Sequence, residues 1–107
     1  MDNFSVYVIK LKKSVLRRKK FRDENKNYLR GKPCVYVGST KMTPKARFGV
    51  HMRGGMMSSR WVRKFGKNLF PRAYGKLPTF GCEDEAKKVE ASYAEELRSR
   101  GWGVWQR

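Results

Sequence analysis

The sequence predicts an α+β domain, a small β-sheet of about three strands packed with helices. Three observations predict it. Two segments near the N-terminus, FSVYVIKL at 4–11 and CVYVG at 34–38, are β-branched and aromatic and have strand length. Three later segments carry helix start and stop signals. The closing GWGVWQR supplies a last strand.

Taken in order, the first strand runs over 4–11 and the second over 34–38, closed by Gly38. Between them lies a basic insertion, KKSVLRRKKFRDENKNYLRGK at 12–32, with few core candidates. It is expected to be an extended connection or hairpin arm, with a short helix at 15–21. Thr43-Pro44 opens a helix, since Thr caps orphan N–H groups and Pro fits the first turn. That helix should run to Arg53 and stop at Gly54-Gly55. Ser58 or Ser59 caps a shorter helix with Trp61, Val62 and Phe65 inward and Gly66 at its end. Residues 67–82 are rich in Gly and Pro and read as irregular, with an edge strand at 72–74. The clearest helix begins at Glu83-Asp84-Glu85, three acids suited to the positive end of the helix dipole. It should run over 83–98 and stop at Gly101.

A chain of 107 residues with 39% hydrophobic side chains has room for one domain, 1–107, around a thin core. The charge is its loudest signal: 26 Lys and Arg against nine Asp and Glu, a formal +17. Such a field repels itself in a compact chain, and a polyanion is the usual compensation, driven by counterion release from phosphates. Membrane binding would want a long amphipathic basic helix or an apolar span, and the sequence has neither. Its first ten residues do not read as a signal peptide. Cys34 and Cys82 form no CxxC or Cys/His cluster, so a zinc site is not expected. Two reduced thiols, both small buried apolar residues, in a cytoplasmic setting are the expectation.

On a helical wheel the last helix has an apolar stripe of Ala86, Val89, Tyr93 and Leu97. Glu90 falls inside that stripe, Glu95 opposite it and Glu96 at its edge. A carboxylate directed at a core costs several kcal/mol unless paired or bound to a metal. Glu90 is therefore either half of a buried ion pair or a functional acid. On the Thr43-capped helix, Arg47 and His51 lie one turn apart on one face. Arg47 could grip a phosphate, and His51, the only histidine, could bond one or move a proton, or both could be solvated surface groups. Tyr7 and Tyr36 read equally as core aromatics of the strands.

These pieces fall in one order: Ser5-Val6-Tyr7, then Tyr36-Val37-Gly38 with Ser39-Thr40, then Arg47 and His51, then Glu90 four after Ala86. That order, spanning residues 5 to 104, resembles the GIY-YIG endonuclease family. Three features depart from the pattern. Ser5 replaces a glycine, residues 12–32 lengthen a usually short hairpin, and Trp102-Gly103 stands where many members carry Asn. Gln106 is the nearest amide.

The resemblance implies an antiparallel sheet flanked by helices, with the site on one sheet face. It implies one Mg²⁺ or Mn²⁺ on Glu90, a hard ion that accepts carboxylate oxygen and keeps several waters. Arg47 would stabilise charge developing at phosphorus. Tyr7 or Tyr36 would be the general base, with Tyr7 favoured and His51 competing. A phenol titrates near 10, so cations such as Lys45 should lower it. Gly38, Lys45 and the run Arg17, Arg18, Lys19 and Lys20 are candidate nucleic-acid contacts. The expectation is a metal-dependent endonuclease with DNA as substrate, acting as a monomer or a homodimer. The alternative, a non-catalytic DNA- or RNA-binding module, needs only the charge.

Overall fold

The first strand, β1 (Ser5–Leu11), is apolar at almost every position rather than at alternate ones. Such a run belongs to a strand covered on both faces. The computed structural model, which describes residues 3–54 and 59–106, bears this out. Tyr7, Ile9 and Leu11 enter one core, and Val6 and Val8 enter a second on the other side. Strand β2 (Cys34–Thr40) behaves alike, sending Cys34 and Tyr36 to the first core and Val35 and Val37 to the second.

The sheet has four strands where about three were expected, and it is mixed rather than antiparallel. With β3 (Gly66–Leu69) and β4 (Gly103–Gln106) the order is β3-β1-β2-β4. β1 is antiparallel to both β2 and β3, whereas β2 and β4 run parallel. A parallel pair needs a long crossover, and the final helix supplies it. The expected edge strand at 72–74 is instead a helical turn, α4 (Pro71–Tyr74). Pro71 has no N–H to give a ladder and fits a helical first turn. The edge strand lies just before it, in a GKNL segment whose composition gives little β signal.

The insertion is also more structured than its composition suggested. It forms a 3-10 turn (Lys13–Arg17) and α1 (Lys19–Glu24), split at Arg18, in place of one helix at 15–21. Val15 and Phe21 are fully buried in the first core, so this is no projecting arm. Asn25 sews it down: its side chain accepts from the Val104 N–H (2.7 Å) and donates to the Val104 carbonyl (3.0 Å).

The helices follow their caps. α2 (Pro44–Arg53) starts where Thr43 Oγ1 accepts from the Ala46 N–H and ends at Gly54 in the left-handed region. α3 (Arg60–Phe65) is capped by Ser59, whose Oγ accepts from the Val62 N–H. Gly55 and Ser58 lie outside the described residues. α5 (Glu83–Ser99) runs one residue past its expected end, and Gly101 follows at φ +87°. Its buried line is Ala86, Glu90, Ala94 and Leu97, a slight rotation from the expected stripe. Val89 and Tyr93 sit at the flank, where the Tyr93 hydroxyl donates to the Ala73 carbonyl. No helix of the described residues is long and apolar enough to cross a membrane.

Candidate active site

A cleft of about 560 Å³ opens at the C-terminal ends of β2 and β4. Tyr7, Tyr36, Gly38, Arg47, Glu90 and Gln106 line it, so residues distant in sequence converge there. Tyr7 and Tyr36 arrive from one sheet face. Glu90 arrives from α5, which packs on the opposite face through Ala94 and Leu97. The site therefore wraps the end of the sheet instead of resting on one face.

Gly38 stands directly opposite Tyr7 in the β1–β2 ladder. A Cβ there would fall 2.7 Å from Tyr7 Oη and 2.8 Å from Cζ. The glycine that closes the second motif is thus the space that the first motif's phenol fills.

Tyr7 itself is nearly inaccessible, and its hydroxyl is 2.8 Å from His51 Nε2. The imidazole's other nitrogen, Nδ1, accepts from the Ser59 backbone N–H at 2.8 Å. A backbone N–H can only donate, so Nδ1 carries no proton and the neutral ring holds its proton on Nε2. His51 therefore donates to Tyr7 Oη. It has zero exposure and packs edge-on against Tyr36 at 5.5 Å between ring centroids, so Tyr7 and not the imidazole lines the cleft.

Burial pushes the Tyr7 phenol above its ordinary value. The Arg47 guanidinium, by hydrogen bond and by charge, pulls it down, the Glu90 charge pushes it up, and the Tyr36 hydroxyl pulls it down. Burial wins, so the expected lowering by nearby cations is overturned. The cation at work is Arg47, and the exposed Lys45 is not in the cleft wall.

Glu90 is 5% exposed, and Gln106 Nε2 donates to its Oε2 at 2.6 Å. Among the described residues it makes no ion pair, so an amide and not a cation meets this core-directed carboxylate. Glu83, earlier on α5, lines the same cleft and pairs with Lys87 at 3.3 Å. No cluster of three or more His, Cys, Asp or Glu occurs among the described residues. This donor set fits one hard ion held by one or two carboxylates with water completing its shell, and it does not fit a cage of protein ligands.

In the sequence Glu83 reads only as a helix-start acid and Lys41 and Lys87 not at all as cleft residues, because exposed charges on a chain of +17 carry no distinguishing pattern. Gln106 was visible only as an amide near the expected position. Arg17, Arg18, Lys19 and Lys20 are exposed and lie outside this cleft, Lys19 being paired with Asp23. Both cysteines are free thiols; Cys34 is buried as expected, whereas Cys82, at the start of α5, is exposed and not a buried apolar residue. No family model matches the chain, and comparison with curated proteins and with solved structures likewise finds no match.

Proposed function

We propose that the chain is a GIY-YIG-like endonuclease that hydrolyses phosphodiester bonds in DNA, using one divalent metal ion. The observation that carries this reading is the convergence of Tyr7, Tyr36, Arg47 and Glu90 on one cleft. A Mg²⁺ or Mn²⁺ on Glu90 would supply positive charge against the leaving 3′ oxygen and the non-bridging oxygens.

The chain's own residues do the rest. Arg47, beside Tyr7, binds a non-bridging oxygen and stabilises the charge that builds at phosphorus. Tyr7, once ionised to solvent, takes the proton of the attacking water as the bond from phosphorus to the 3′ oxygen breaks. Donors already surround that phenol oxygen: His51 Nε2–H on one side and Arg47 on another. Gln106 orients Glu90 in the role that Asn plays in many family members. Lys41 and Lys87, on the rim, draw in the phosphates. The setting is cytoplasmic, where the two thiols stay reduced.

The Glu90–Gln106 bond also favours a second reading, since it satisfies the carboxylate without a metal. On that reading the chain is a basic nucleic-acid-binding module without catalysis. Supercoiled plasmid and branched and single-stranded oligonucleotides, incubated with Mg²⁺, Mn²⁺ or EDTA, separate the two. The nuclease cuts only with metal, and Glu90→Ala and Tyr7→Phe abolish cutting. Metal-independent binding with every substrate left intact selects the binding module.

A further inference from the structure

A second cleft, of about 330 Å³, is formed by Arg18, Lys20, Arg60, Trp61, Lys64 and Phe65. It brings the insertion against α3, two segments that are far apart in sequence. Its wall is aromatic. Trp61 stacks on Trp105 with centroids 4.6 Å apart and planes at 27°, and packs against Phe65 at 5.7 Å. Its rim is cationic. The Arg18 and Lys64 head groups each lie 5.7 Å from the Phe65 ring, and Lys20 lies 5.6 Å from Trp105. Among the described residues no ion pair neutralises Arg18, Lys20, Arg60 or Lys64. Four like charges around half-buried indoles repel one another, and a polyanion relieves that repulsion.

Trp105 is the register partner of Tyr36 across the β2–β4 pair, on the same sheet face. Adjacent strands are about 4.8 Å apart. The indole wall thus starts one strand away from a tyrosine of the first cleft.

We propose that this second cleft binds an unpaired stretch of nucleic acid flanking the cleaved bond, its phosphates on the four cations and a base against Trp61. The proposal rests on the nucleic-acid reading of the first cleft and adds a substrate class: strands with a single-stranded segment. A duplex keeps its bases stacked inside and cannot offer one to an indole, whereas a single strand can.

The test uses the full chain in EDTA, so cutting plays no part. Tryptophan fluorescence is titrated with oligo-dT, oligo-rU, a duplex of equal length and heparin, a polyanion without bases, at several salt concentrations. The expected result is quenching by the single strands, weaker binding of the duplex, and no quenching by heparin. The dT and rU arms report which sugar is preferred. Arg60→Ala with Lys64→Ala, both at exposed positions, should weaken binding about tenfold or more and lower the salt slope by about 0.7 per lost contact. By isothermal titration, which needs no reporting indole, Trp61→Phe should weaken oligo-dT by about tenfold and leave heparin affinity unchanged. Equal quenching by heparin, equal affinity for duplex, or a double variant that binds with an unchanged salt slope overturns the proposal. Loss of metal-dependent cutting with quenching intact would remove the nuclease reading and leave this cleft standing.

Discussion

Tyr7 and Gly38 face each other across the β1–β2 ladder so closely that a methyl group on residue 38 would meet the phenol oxygen at 2.7 Å. The backbone on one side and the buried ring on the other leave Tyr7 little room to yield. Gly38→Ala should therefore displace Tyr7 from His51 and Arg47. The expected cost is about 1–3 kcal/mol of stability, the usual range for overpacking. Cutting should fall about 100-fold while oligonucleotide affinity holds. Thermal melts and single-turnover rates check this, and an unimpaired rate would mean that Tyr7 does not act from this position.

The raised phenol sets a pH dependence of known sign. Below its unfolded value near 10 Tyr7 is neutral in both states, and its contribution to stability is fully present. As pH rises through the unfolded and then the raised folded value, the unfolded chain loses its proton first and the native state is disfavoured. Wild type should lose Tm above about pH 10 more steeply than Tyr7→Phe. Equal slopes would remove Tyr7 as a buried titrating group.

The same shift bears on the reaction. A base that must first ionise from above 10 gives a rate that climbs about tenfold per pH unit between 7 and 9. A histidine base would level off above its ordinary value of about 6.5. His51→Phe keeps a ring in place but removes the Nε2–H donor, so it should lower the rate and preserve the pH slope. A slope lost in His51→Phe would make the imidazole the base.

Gln106 holds the carboxylate proposed to bind metal. Partners of this kind tune metal affinity by roughly 10–100-fold. In isothermal titration with Mn²⁺, Gln106→Ala should bind at least about tenfold more weakly than wild type, and Glu90→Ala should not bind. Unchanged Mn²⁺ affinity in Gln106→Ala would detach that amide from the metal site.

Much of this fold was legible in the sequence because its signals are local. Thr43-Pro44 and Gly54 mark helix ends through bonds made within one turn, the acids at 83–85 through their charge at the positive end of the dipole, and the structure places those ends accordingly. What escaped depends on distant partners. β3 is a strand because Lys10 and Leu11 pair with it, not because GKNL prefers extension. Val15 and Phe21 are core because the sheet face they cover lies elsewhere in the chain. Glu90 was legible as an acid out of place on an apolar stripe. The tautomer of His51 was not, since it depends on the Ser59 N–H, which no spacing rule connects to position 51.

Asn25 offers the outward-facing N–H and C=O of Val104 the partners that another strand would give them. β4 is an edge strand, and unpaired edges are where folded chains recruit one another into aggregates. Asn25, delivered by the insertion and joined on the Val104 carbonyl by Arg98 Nη2 at 3.0 Å, stands where the missing neighbour would pair. At the opposite edge, β3 is four residues long and carries Lys67. The extra residues between β1 and β2 thus serve as a selvedge at Val104, occupying backbone groups that a docking strand would need.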